Sequence, residues 1–284
     1  MIRFLILFLL ISTININAQL VTIAQDKIPP SQKMILEVKV ISQFYERFNF
    51  KETPGNQLLD SVFKSGISRK NNISLLFSPN DIRLDSTSKE FSKAYLDTVV
   101  RFIEMVCDSA NPVFINKFSN HLIAELICQI SINSKPYEIK LWLQLIEAEK
   151  KSYKWIILNA QGGCLEIKKN GNNSSSLSPM DDETNFISLG IDLNKKSNLA
   201  SLTNSTFESE PLNNFLFGMQ SGFIQFQSVK DLTYHILDID GWDIQVKDIQ
   251  NKQLLNGWLI TNLHKFDTDR IQYIKEFTGI DAKP

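Results

Sequence analysis

Three aspartates, Asp238, Asp240 and Asp243, crowd around one glycine in YHILDIDGWDIQVKDI, residues 234–249. Carboxylates this close have two chemical uses. They hold a hard cation, which needs six or more oxygens, or they share a proton as an acid–base pair. The spacing does not match the calcium-loop pattern, whose closing glutamate comes six residues after the glycine. A simpler reading is geometric, because Asp-Gly between two alternating runs favours a two-residue type I′ hairpin. A turn at Asp240-Gly241 sets Ile239 against Trp242, Leu237 against Ile244 and His235 against Val246, all on one core side. His235 is then a core histidine hydrogen-bonded to a neighbour. Asp238 falls directly opposite Asp243, a like-charge pair that costs roughly 0.2–1 kcal/mol unless a lysine, solvent, a shared proton or a cation compensates. The cluster is expected to be a turn.

Other chemistries leave little trace. The chain has no GxSxG elbow, HExxH pair, CxxC pair, glycine-rich phosphate loop or dinucleotide fingerprint. Its three cysteines, Cys107, Cys128 and Cys164, are too few and scattered for a disulfide framework. Cys107 and Cys128 read as small buried apolar residues, and Cys164, after Gly162-Gly163, as a more exposed one. A nucleophilic cysteine needs a base, and the histidines, His121, His235 and His264, all lie far from Cys164 in sequence. No catalytic, cofactor-binding or metal-ligating residue is therefore assigned.

The elements that must position these residues follow from composition and periodicity. At 43% hydrophobic residues the 284-residue chain builds a real core. With 30 basic against 31 acidic residues it lacks the basic surface that tracks phosphates, so nucleic acid is not an expected partner. The opening MIRFLILFLLISTININAQ has one cation, Arg3, an apolar run Phe4–Ile11, then a polar stretch to Ala18. That layout is a secretory signal peptide over 1–18, and the run is too short to span a bilayer. The mature chain is expected to be exported, periplasmic or extracellular, with no transmembrane segment.

Apolar residues at steps of three and four predict helices over 33–48 (Met34, Val38, Ile41, Tyr45, Phe48) and about 90–107 (Phe91, Tyr95, Phe102, Val106). Alternating runs at 121–133, 137–148 and 153–160, separated by short gaps, predict an antiparallel meander. In the middle run Tyr137, Ile139, Leu141, Leu143 and Leu145 share a core face, and Trp142 lies on the other, to floor a pocket or to pack on a neighbouring layer. Residues 168–184, rich in Asn, Ser and Gly, read as a flexible linker. Beyond it a proline-initiated helix at 211, strands through 222–263 and a last helix opened by Asp267-Thr268 repeat the plan. In that last helix Ile271, Ile274 and Phe277 form a stripe, and Gly279 ends it. The expectation is α+β, with helices packed on curved antiparallel sheets in two domains, 19–167 and 185–284.

The order helix (FYERF), second helix, then meander ending in YKWIILNAQG resembles the nuclear-transport-factor-2-like superfamily, with its cystatin-like α+β cone and SnoaL-like members. The resemblance covers mainly 33–167, and DGWDIQV with NGWLITNL is similar to a degenerate second copy. It implies a sheet curved around a site for a small molecule or a partner. It also makes His121 and Glu125, at the start of the first strand, the polar candidates of an isomerase- or hydrolase-type site. Expected function is thus non-enzymatic binding of a protein or small-molecule partner, the alternative being a small cone-type enzyme using His121 or Glu125.

Overall fold

A computed structural model describes residues 40–52, 68–148, 152–166, 210–250 and 257–280. The expected signal peptide, residues 33–39 of the first helix and the 168–184 linker lie outside these. Five helices and six strands occur among the described residues. In chain order they are α1 (Ile41–Phe48), α2 (Arg69–Ser74), α3 (Lys93–Val106), β1 (Leu122–Ile132), β2 (Lys135–Glu147) and β3 (Tyr153–Gln161). Then come α4 (Pro211–Gln220), β4 (Ile224–Ile236), β5 (Trp242–Ile249), β6 (Gly257–Lys265) and α5 (Arg270–Thr278). The strands form one antiparallel sheet in the order β3-β2-β1-β4-β5-β6. The class is mixed α+β. No helix among the described residues is long and apolar enough to cross a membrane.

Local chemistry explains the element ends. Ser92 starts α3 by accepting a hydrogen bond from the Tyr95 amide at 3.2 Å. Asn133 and Ser134 both adopt positive φ, 50° and 63°, so β1 turns into β2 through two left-handed residues, the geometry of a type I′ hairpin. Pro211 opens α4, where its missing amide costs nothing. Within the stretch read as strands, residues 224–236 form the single 13-residue strand β4.

The chain divides into two compact units. In the first (residues up to Glu125, Leu143–Ile156, and Leu232 onward) α1 and α3 press apolar stripes against one face of the sheet. Phe44, Phe48, Phe102, Ile73 and Leu76 are fully buried with Ile236, Ile244 and Leu259. Their rings run in contact from Phe48 to Phe102 (6.3 Å between centroids) and on to Trp242 (5.1 Å). Arg69 ties this packing together, donating to the carbonyls of Val106 (2.6 Å), Phe48 and Val113 at the ends of two helices and in the loop after the second. Trp155 of β3 stacks on Tyr234 of β4 at 6.1 Å although β2 and β1 lie between them. Flat spacing would separate those strands by about 14 Å, so the sheet curls here and this face is concave.

The second unit (Leu126–Trp142 and Ile157–Asp231) buries Cys128, Ile130, Ile139, Leu141 and Trp142 with Phe215 and Ile224. Trp142 is buried rather than flooring an open pocket, with the Lys140 ammonium 5.0 Å above its ring. Gly218 lets α4 approach β4, since a Cβ there would lie 2.5 Å from Ile224.

The hairpin register corrects the sequence reading. Tyr234 pairs with Val246, His235 with Gln245 and Ile236 with Ile244, one residue away from the expected alignment. The turn itself is where it was expected, the Trp242 amide donating to the Ile239 carbonyl at 3.1 Å. Of its two central residues only Gly241 has positive φ (75°), so it is not type I′. Leu237 leaves the ladder and donates its amide to the His121 carbonyl at 3.0 Å. The slip moves His235 off the helix-covered core face, which holds Tyr234, Ile236, Ile244 and Val246, and onto the opposite one.

Candidate functional site

That opposite face, in the first unit, is roofed by α5. Asp269 caps the helix, one Oδ accepting from the amides of Ile271 (3.0 Å) and Gln272 (3.3 Å). Gly279 ends it in the left-handed conformation at φ 68°. The cap is therefore Asp269 and not Asp267-Thr268, and Ile271 turns outward to solvent. The residues that turn inward are Arg270, Tyr273 and Phe277, three and four apart on one side of the helix.

Beneath this roof lies a cluster of titratable groups. His235 Nδ1 donates to Asp243, 2.9 Å from one carboxylate oxygen and 3.1 Å from the other. The same carboxylate accepts the Tyr273 hydroxyl at 2.9 Å and the Gln245 amide at 3.0 Å. On the other side of the ring, His235 Nε2 lies 3.6 Å from a Glu125 oxygen. Phe277 stacks on the imidazole with centroids 4.8 Å apart. His235 is 5% exposed and Asp243 0%. Burial is the largest influence on the ring and opposes its charge, but Asp243 and Glu125 outweigh it and lift the His235 pKa to about 9. The ring is thus an imidazolium at neutral pH, held between two carboxylates. Burial, with the Asp243 charge behind it, pushes the Tyr273 phenol well above its ordinary range.

At the rim of the same helix is a second, accessible group. Arg270 lies 3.0 Å and 3.1 Å from the two ring nitrogens of His121 and also pairs with Asp240. His121 is 3.8 Å from Asp238, whose other oxygen accepts the Asn116 amide at 2.6 Å. Partial burial and the Arg270 charge lower the His121 pKa despite Asp238 and Asp240. This histidine is neutral where His235 is charged.

The three aspartates that the sequence crowds together therefore go to three different partners. Asp238 turns to the chain at Asn116, Asp240 to Arg270 and Asp243 to His235. Asp238 and Asp243 are not a cross-strand pair, and hydrogen-bond donors compensate each charge separately. Glu125 and His121, the two polar candidates, do not share a site, Glu125 lying in β1 and His121 in the turn just before it. Glu125 belongs to the buried cluster and His121 to the rim. Sequence reasoning missed Arg270, Tyr273 and Gln245, and placed Phe277 on a buried stripe without its histidine partner. The spacing of Tyr273 and Phe277, four apart and aromatic, was the one available signal.

Chemically, the buried cluster holds a proton between groups that are bonded to one another: Asp243 accepts from His235, Tyr273 and Gln245, and Glu125 faces the other ring nitrogen. Burial raises all three cysteine thiols, Cys128 to about 11, which disfavours the thiolate at each. Among the described residues no group of three or more His, Cys, Asp and Glu has metal-site geometry. The chain matches no protein-family model, no curated protein and no solved structure.

Proposed function

We propose that this chain is an exported, non-enzymatic binding protein whose recognition surface is the concave aromatic face of the first unit. The observation that carries the reading is the closure of the His235–Asp243–Glu125 cluster by α5. The groups best suited to acid–base work are saturated by one another and covered by Phe277, so they serve to dock a helix. Meanwhile Trp155 stays 40% exposed beside Tyr234, and Phe118 stacks on Tyr153 at 4.9 Å with both rings partly open to solvent. Exposed aromatics clustered on one face are the usual signature of recognition. A nuclear-transport-factor-2-like cone is supported by α1 and α3 on one face of the sheet and by the curl that brings Trp155 to Tyr234, while α5 on the opposite face is an addition to that plan. Export rests on the layout of residues 1–18.

Two measurements test this. Mass spectrometry of the protein recovered from its native host should find a mature chain beginning at Gln19; a chain retaining Met1 in the cytosol removes the export half. A substrate screen of isomerase and hydrolase classes should find no turnover, and any activity lost on His121→Ala removes the other half.

One feature favours the second reading, a small enzyme of the cone type. His121 is half-exposed, neutral and 3.8 Å from a carboxylate, the ingredients of a general base. Against it, the Arg270 guanidinium lies against the ring and takes the one nitrogen that could accept a proton.

A further inference from the structure

α4 and the start of β4 make an apolar tip on the second unit. The run FLF at 215–217 puts three consecutive apolar residues on a helix. Successive helical side chains point about 100° apart, so only one of the three enters the core. Phe215 takes that place and is buried, while Leu216 is 46% and Phe217 72% exposed. The helix is not free to roll them inward. The Asn214 side-chain amide donates to the Leu165 carbonyl at 2.7 Å, and Gly218 sits so close to Ile224 that a Cβ would lie 2.5 Å from it.

The chain then reverses at Ser221-Gly222. The Ser221 amide donates to the Phe217 carbonyl at 2.9 Å and the Gly222 amide to the Met219 carbonyl at 3.2 Å. Gly222 takes φ 73°, a conformation that glycine alone adopts without strain. Gln220, Ser221 and Gly222 are exposed, Phe223 just before β4 is 53% exposed and Phe226 within it 43%. Because Gly218 meets Ile224, Leu216 and Phe217 on the helix and Phe223 and Phe226 on the strand flank one projecting turn. From Pro211 to Val229 there is no charged residue, Glu210 and Lys230 being the first on either side.

We infer that this tip is a membrane-docking site whose occupant is the interfacial layer of a zwitterionic lipid bilayer. The four exposed side chains uncover roughly 400 Å², half of the ~800 Å² per partner in a standard stable protein interface. A second copy presents the same projecting turn, and two such tips meet over less area still. A bilayer interface instead closes around a projection and takes up Phe and Leu at the boundary between headgroups and chains. The missing charges act in the same direction. They leave a protein partner nothing to set its register and anionic lipid nothing to hold, and they let the turn enter the interface without stripping water from an ion. Asn213, Gln220, Ser221 and Gln225, exposed around the rings, are uncharged groups that headgroups and interfacial water satisfy. At 10 residues α4 is too short to span, so the docking is peripheral. The tip belongs to the second unit and stands independently of what the concave face of the first binds.

The test is flotation of the full mature protein with phosphatidylcholine vesicles and with vesicles enriched in phosphatidylserine, each at low and high salt. Equal flotation with both is expected, undiminished by salt. A double variant, Phe217→Ser with Phe223→Ser, is checked for folding by circular dichroism and should partition about tenfold or more weakly. If it misfolds, Phe217→Trp decides the matter. The emission this variant adds over the wild type should shift to the blue with phosphatidylcholine vesicles and be quenched by lipids brominated near the headgroup. A protein that stays in solution overturns the inference, including one whose tip instead joins two copies. So does flotation that the folded double variant retains, flotation that needs phosphatidylserine and disappears with salt, or an added emission that vesicles leave unchanged.

Discussion

Asp243 is the residue on which the α5 docking depends. Removing it leaves an imidazolium and a phenol without their shared acceptor in a dry place. Asp243→Ala is expected to cost about 3–5 kcal/mol, the range for stripping one partner from a buried pair. Tyr273→Phe removes one hydrogen bond to the same carboxylate and is expected to cost roughly 1–2 kcal/mol. Urea titration of both variants measures this; equal and small losses would mean the cluster carries no load. His235 adds a pH dependence whose sign is fixed. Its folded pKa, about 9, lies above the ordinary 6.5. The stabilisation is therefore complete below pH 6.5 and fades as pH rises toward 9, because the folded state holds the proton that the unfolded state has released. The melting temperature should fall across that window, and His235→Gln should flatten the fall. A wild-type curve parallel to the variant's would refute it. None of this was visible in the spacing of the aspartates, because side-chain partners were assigned from a turn geometry that the chain does not adopt.

α5 is held by its caps as well as by its buried side. Asp269→Ala should cost about 1 kcal/mol. Gly279→Ala, at a φ that a β-carbon resists, should cost a similar amount. Thermal melts of either variant should show an early loss of α5, read from the fluorescence of the neighbouring aromatics, and a single unchanged transition would contradict it. Strand and helix identities were legible in the sequence wherever one face is buried. The stripe of α3 and the alternation of β1, β2 and β5 are examples, since the period of burial is the period of the element. The hairpin between β4 and β5 was read at the right residues and in the wrong register. Asp-Gly supports more than one turn type, and Leu237 is drawn out of the ladder by the His121 carbonyl, a partner more than a hundred residues away. The type I′ geometry occurs instead at Asn133-Ser134, where no glycine advertised it.

Across the molecule, protection should follow the depth of burial. Amides of β4, β5 and β6 around Ile236, Ile244 and Leu259 close over the fully buried residues of the first unit, and they are expected to exchange slowest. Those of α5, which lies on the sheet through a few side chains, are expected to exchange faster. Native-state exchange with mass spectrometry reads this order, and an α5 as slow as β5 would contradict it. In the second unit, Gly218→Ala pushes a methyl into Ile224 and should cost roughly 1–3 kcal/mol, a loss that a denaturant curve measures directly.

The sequence alone determined the class of the chain, the position of most strands and the central helix, and the near-neutral charge, because each is a property of neighbours along the backbone. Tertiary structure decided that strands on either side of residues 168–184 form one sheet, that His235 meets Asp243 and Glu125, and that α5 turns Tyr273 and Phe277 over them. Those choices depend on which surfaces meet across long stretches of chain. The one-residue register that moves His235 from one face to the other is fixed by that meeting and not by local preference.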